Sequence, residues 1–171
     1  LASRRVRTVL LAGAWSVYGR SEKFTDALLK TVDRLQSAGT TVYFMCDVPS
    51  FGYNVPKTLI RGSIAGSDLT TVWISKDEYQ SLNNFQTKMI PELKRRGVKI
   101  VDPIPLLMQL GTDDNRIRPF DPGGSFYRDS THLSTYGAMA IKPIFTLLFE
   151  DIRDGSSSGE PTPQRDVTKS D

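Results

Sequence analysis

Apolar positions along this chain fall into two alternating kinds of run. Arg7-Thr-Val-Leu-Leu-Ala-Gly13, Thr41-Val-Tyr-Phe-Met-Cys46 and Val98-Lys-Ile-Val101 are short, continuous and rich in β-branched and apolar residues. Such runs predict strands buried on both faces rather than half-exposed ones. Between them, apolar residues recur at helical spacing. Phe24, Ala27, Leu28, Val32 and Leu35 predict a helix over 21–38, with Ser21 as N-cap and Gly39 as stop. Ser75 opens a second pattern through Tyr79, Leu82, Phe85, Met89 and Leu93, which Pro91 is expected to kink and Gly97 to end. A short helix is expected over 105–110. The last helix starts at Ser134 or Thr135, and Ala138, Ile141, Ile144, Phe145, Leu148, Phe149 and Ile152 mark one buried face despite Pro143.

Two long stretches lack either period. Residues 47–68 contain Pro49, Gly52, Pro56, Gly62 and Gly66, which predicts an irregular loop with about one helical turn. Residues 111–131, rich in Gly, Pro, Asp and Arg, form a second such loop. From Gly155 onward the composition is that of a disordered tail, so the expected division is a domain over 1–154 and a tail over 155–171. No internal repeat is present. Buried strands alternating with helices imply an α/β fold: a parallel sheet with right-handed crossovers and helices on both faces, in three layers. Reactive groups in such sheets gather beyond the carboxyl ends of the strands. The segments there are 13–19, 47–53 and the loop ending at His132.

Composition narrows the classes. With 171 residues, 39% of them hydrophobic and 24% charged, the chain has the makeup of one globular domain. Its longest apolar stretches, such as 141–149, fall well short of the roughly 20 residues needed to span a bilayer. The chain opens on Leu1 without the apolar run of a signal peptide, and reads as cut from something longer. A net charge of +3 arises from dispersed Lys and Arg, with small clusters at Arg4, Arg5 and Arg7 and at Lys94, Arg95 and Arg96. Without interleaved aromatics or a recognisable module, no nucleic-acid partner is expected. The single Cys46 makes no internal disulfide.

His132 is the only histidine, and with one cysteine no zinc ligand set can be assembled. Neither a metal nor another cofactor is expected. In Tyr127-Arg-Asp-Ser-Thr-His-Leu-Ser134, Asp129 precedes His132 by three residues in an irregular segment before a helix. A carboxylate held on one imidazole nitrogen fixes the tautomer and leaves the other free to deprotonate a hydroxyl. An Asx turn, with Asp129 bonding backbone amides at the helix entry, accounts for the same spacing.

The wider string Phe126-Tyr-Arg-Asp-Ser-Thr-His-Leu-Ser-Thr-Tyr-Gly-Ala138 resembles the Tyr-x-Asp-x-x-His-Leu-Ser-x-x-Gly-Ala block that ends the SGNH domains fused to acyltransferase-3 membrane proteins. Val9-Leu-Leu-Ala-Gly-Ala-Trp-Ser-Val-Tyr18 is similar to their central strand ending in Trp and Tyr. The segments Thr41 to Pro49 and Val98 to Pro103 are similar to later strands, so the resemblance runs from about Val6 to Ile152. It implies a flavodoxin-like SGNH-hydrolase fold in which Asp129 and His132 belong to a Ser-His-Asp triad. It also implies transfer of an acyl group, expected to be acetyl, from an acyl donor to a glycan hydroxyl, with an upstream transmembrane acyltransferase-3 domain on the same polypeptide and a periplasmic location at a bacterial inner membrane. A carbohydrate esterase with water as acceptor and a non-catalytic module that has lost its nucleophile are the alternatives.

Two departures from that family stand out. The family's nucleophile lies in Gly-Asp-Ser-His after the first strand, and no such motif occurs here; Ser16 lacks its context, and Ser130 and Ser134 lie too close to His132 in sequence. The nucleophile is therefore expected upstream of Leu1, with one or more N-terminal strands missing from this chain. The loop Gly13-Ala14-Trp15-Ser16 also lacks the asparagine that many SGNH hydrolases use in the oxyanion hole. Trp15 occupies the matching region in the fused acyltransferases and is a candidate for the oxyanion or substrate cleft; the alternative is a core aromatic.

Overall fold

A computed structural model describes residues 6–19, 21–110 and 115–157. In chain order, strand β1 (Thr8–Leu11) leads through the single turn α1 (Trp15–Tyr18) to helix α2 (Glu22–Ser37) and strand β2 (Thr41–Met45). Helix α3 (Val55–Ile64), a 3-10 turn and the two-residue strand β3 (Ile74–Ser75) follow, then helices α4 (Lys76–Leu82) and α5 (Asn84–Arg95). Strand β4 (Lys99–Val101) and helix α6 (Ile104–Leu110) precede three short strands, β5 (Arg116–Ile117), β6 (Phe120–Asp121) and β7 (Gly124–Ser125). Helices α7 (Thr135–Ala140) and α8 (Lys142–Ser157) complete it.

The expected parallel sheet is present. Its order is β1-β2-β4, with Val9 opposite Val42, Leu11 opposite Phe44 and Met45 opposite Val101. Alternation along β2 divides the core between two faces. Val42, Phe44 and Cys46 pack with Leu28 and Val32 of α2 and Met89 and Leu93 of α5, whereas Tyr43 packs with Val101 and with Leu148 of α8. These are the three α/β/α layers. Each of the fully buried side chains stabilises the fold by about 1.5–3 kcal/mol relative to exposure. Gly39 and Gly97 end α2 and α5 at φ 75° and 77°, the left-handed conformation that suits glycine and stops a helix.

The helical patterns are interrupted where the sequence placed no break. The expected continuous helix after Ser75 divides at Asn83, and Pro91 lies within the second part, α5. Asn83 is buried, and its side-chain amide and its backbone N–H both donate to Tyr79 O at 2.9 Å. Ser75 caps α4 as expected, its Oγ accepting from Glu78 N. The final pattern likewise divides at Ile141, just ahead of Pro143.

The largest correction falls on 47–68. It holds the ten-residue helix α3, not a loop with one turn. Asn54 caps it by accepting from Lys57 N at 3.0 Å, and Pro56 sits in its first turn, where a missing N–H is harmless. Gly62, which reads as a breaker, lies inside the helix and leaves room for Leu69 to pack against it; a Cβ there would stand 2.6 Å from Leu69 Cδ2. The loop over 111–131 carries the short ladders β3·β5 and β6·β7. Helix α8 runs three residues past the expected boundary at 154, and the rest of the expected tail, 158–171, lies outside the described residues.

Candidate active site

The segment 126–134 is pinned at both ends. Phe126 N donates to Pro119 O, and Ser134 N returns to Phe126 O at 2.8 Å each, while Arg128 N donates to His132 O at 3.0 Å. Ser134 caps α7 by accepting from Gly137 N, and its hydroxyl donates to Ser125 O. Gly137 has to be glycine: a Cβ would lie 2.0 Å from Phe126 O. Tyr136 closes the other side, donating to Asp121 and stacking on Phe126 with ring centroids 5.7 Å apart. From the sheet side, the loop after β2 braces the same segment. Phe51 N donates to Ser130 O and Val55 N to Asp129 O, and the buried Phe51 ring meets Tyr127 edge-on at 5.0 Å.

Within this frame Asp129 does both things its spacing allows. Its Oδ1 accepts from Thr131 N and His132 N, each at 2.8 Å; this is the Asx turn. Its Oδ2 stands 2.8 Å from His132 Nδ1. The two backbone N–H groups, followed by the His132 side chain, hold the Asp129 carboxyl far below the usual carboxylate range. An ionised carboxylate can only accept. Nδ1 therefore carries the proton of the neutral ring, and Nε2 is left as the basic lone pair. The His132 side chain is 63% exposed, and Nε2 has no partner among the described residues. An imidazole held in this way, with Nε2 exposed, is able to take a proton from an incoming hydroxyl.

The Trp15 loop is built differently. Trp15 is 6% exposed, stacks on Phe44 at 4.5 Å and donates its indole N–H to Met45 O at 2.7 Å. Ser16 N donates to Asp47 Oδ2 at 3.1 Å, so Asp47 receives the amino end of α1. Burial pushes the Asp47 carboxyl up, and its bonds from Ser16 and Trp15 oppose that shift. Behind it lies a polar chain: Asp47 N donates to Gln86 Oε1, Tyr79 Oη donates to Asp47 O, and Gln86 Nε2 donates to Tyr79 Oη. The structure thus seats Trp15 in the core layer, with its N–H and that of Ser16 already bonded. Ser134 is engaged at the α7 cap.

The sequence assigns no functional role to Asp47, Tyr79 or Gln86, and Tyr79 figures there only in the helical pattern after Ser75. Gln86 had a readable signal, a polar residue at i+4 from Leu82 and i−3 from Met89 on an otherwise apolar helical face. Asp47 had none beyond its place after a strand. Among the described residues no helix is long and apolar enough to cross a membrane.

A family model described as the SGNH domain fused to AT3 domains matches residues 1–147. No curated protein and no solved structure is matched.

Proposed function

This chain belongs to the family of SGNH domains fused to AT3 domains, and from that premise we propose that it is the part of a membrane O-acyltransferase that completes acyl transfer to a glycan. The family's fusion to AT3 domains supports a membrane-protein context and an acyltransferase-3 domain upstream on the same polypeptide. The finer reading is that the acyl group is acetyl, the acceptor a hydroxyl of a surface polysaccharide, and the location periplasmic.

The observation that carries this reading is the 2.8 Å contact between His132 Nδ1 and Asp129 Oδ2, with Nε2 left exposed. In the reaction a serine hydroxyl attacks the acyl carbonyl of the donor while His132 Nε2 takes its proton. Collapse of the tetrahedral intermediate expels the donor's leaving group, which receives that proton, and leaves a serine ester. The acceptor hydroxyl then attacks the ester, again giving its proton to Nε2, and the serine oxygen leaves with that proton. Asp129 stabilises the imidazolium at each stage. The serine comes from outside this chain. Among the described residues β1 pairs only with β2, and its apolar free edge is where a parallel strand bearing the serine would add, at the strand ends that also present the 13–19 loop.

In the full-length protein, His132→Ala should abolish glycan acylation without changing its amount in the membrane. Acylation at the wild-type rate by that variant would overturn the proposal. The 171-residue chain alone should not turn over acetyl esters; turnover lost on Ser16→Ala would place the nucleophile inside it.

A further inference from the structure

Helix α3 starts at the catalytic segment and turns an unusual face to solvent. Val55 is fully buried and Leu59 packs on the core, while Lys57, Ile60, Arg61 and Ile64 lie at spacings of three and four, along one exposed side. Ile60 is 60% exposed and Ile64 83%. No acidic residue occurs in the helix. The next one along the chain, Asp68, is directed to Thr70, whose N–H and hydroxyl both donate to it. Two bare isoleucines edged by two cations are costly in water and suit a surface that is apolar below and anionic above.

We infer that the Lys57, Ile60, Arg61 and Ile64 face of α3 rests on an anionic lipid surface, with the isoleucines entering the headgroup boundary and the cations meeting lipid phosphates. The occupant follows from charge complementarity and from the membrane context of the AT3 fusion. The inference deepens the acyltransferase reading and rests on it for its purpose. Val55 N bonds Asp129 O at 3.3 Å, so a docked α3, about 15 Å long at 1.5 Å per residue, holds the His132 segment within about one helix length of the bilayer. An acyl group delivered through the membrane then has a short path to the triad.

The test is cosedimentation of the 171-residue chain, its fold checked by circular dichroism, with phosphatidylcholine vesicles with and without phosphatidylglycerol. Binding is expected only with the anionic lipid. It should weaken about tenfold or more in Lys57→Gln/Arg61→Gln, since each surface cation contributes on the order of 1 kcal/mol, and to a similar degree in Ile60→Ser/Ile64→Ser. Binding that ignores lipid charge or these exchanges overturns the inference, as does self-association of the chain through Ile60 and Ile64. In the full-length protein, a photocrosslinker at position 64 should capture lipid, and capture of protein instead overturns it. His132→Ala should leave vesicle binding unchanged, so loss of docking and loss of catalysis are read separately.

Discussion

The two loops beyond the carboxyl edge of the sheet are held by opposite means. The His132 loop is exposed, and it is fixed by a dense set of backbone bonds onto one carboxylate. The Trp15 loop buries its Trp15 side chain between exposed neighbours, and it is fixed by an aromatic stack and a polar chain running through Asp47, Tyr79 and Gln86. The first keeps a lone pair available, and the second keeps a backbone turn from moving. Exposure leaves a ring nitrogen reachable from solvent, whereas packing fixes the position of a side chain. The two loops should therefore fail in different ways when altered.

The largest effect is expected at Asp129, where one side chain carries two separable roles. Asparagine keeps an Oδ1 for Thr131 N and His132 N but presents an amide, not a carboxylate, to Nδ1. Asp129→Asn should leave thermal unfolding of the full-length protein nearly unchanged and lower the acyl-transfer rate by about 10³–10⁴. Asp129→Ala should lose both the rate and the turn, with a lower unfolding temperature. If the two variants lose stability equally, the separation of roles fails. The pH dependence follows from the lowered pKa. The stability Asp129 contributes is complete above its unfolded value of about 3.9, and is lost as pH falls from there through the folded value. Asp129 therefore gives no limb in an activity profile near neutrality.

At Trp15 the order of effects should reverse. Trp15→Ala removes a ring stacked on Phe44 and should cost about 3–5 kcal/mol in denaturant titration. Trp15→Phe should cost less, chiefly the bond to Met45 O at about 1 kcal/mol. Activity per folded molecule should fall less in Trp15→Phe than in Asp129→Asn. A rate loss as deep as that of Asp129→Asn, without loss of stability, would give the indole a direct part in the chemistry.

Cys46 lies in the same packed layer and sharpens the contrast through pH. Burial, with smaller contributions from Asp102 and Asp47, pushes its thiol up to about 12. A group whose folded pKa is raised adds stability that is complete below its unfolded value, about 8.5 for a thiol. That stability is lost as pH rises from there to about 12. Alkaline unfolding should therefore be less steep in Cys46→Ala. The native thiol should resist a thiol reagent near neutral pH and react once the chain is unfolded; rapid native labelling would mean that this layer opens readily.

The three sheet strands, the 21–38 helix and the Asp129/His132 pair were legible because each depends on short-range pattern. A strand needs a run, a helix a period, and the pair lies three residues apart. What escaped depended on distant partners. Gly62 reads as a breaker until Leu69 folds against it, and Asn83 reads as one more helical residue until its amide finds Tyr79 O. The Asp47, Tyr79 and Gln86 chain joins residues up to 39 positions apart, which no local period reports. The likeness of the 126–138 string to a known family carried the function further than periodicity did.

The smallest expected effect tests how complete the His132 loop is. Tyr127, two residues before Asp129, is 1% exposed, and its hydroxyl has no hydrogen-bond partner among the described residues. Burial alone raises its pKa. A buried hydroxyl without a partner carries a desolvation cost that phenylalanine avoids at the same shape. In the 171-residue chain, Tyr127→Phe should therefore be neutral or stabilise by up to about 1 kcal/mol, read as a raised denaturation midpoint at unchanged slope. The same exchange in the full-length protein decides between two accounts. An equal gain there means that the ring serves only to pack against Phe51. A loss there of about 1 kcal/mol, set against a gain in the shorter chain, means that a segment outside residues 1–171 supplies a partner to Tyr127. It would then reach the base of the His132 loop.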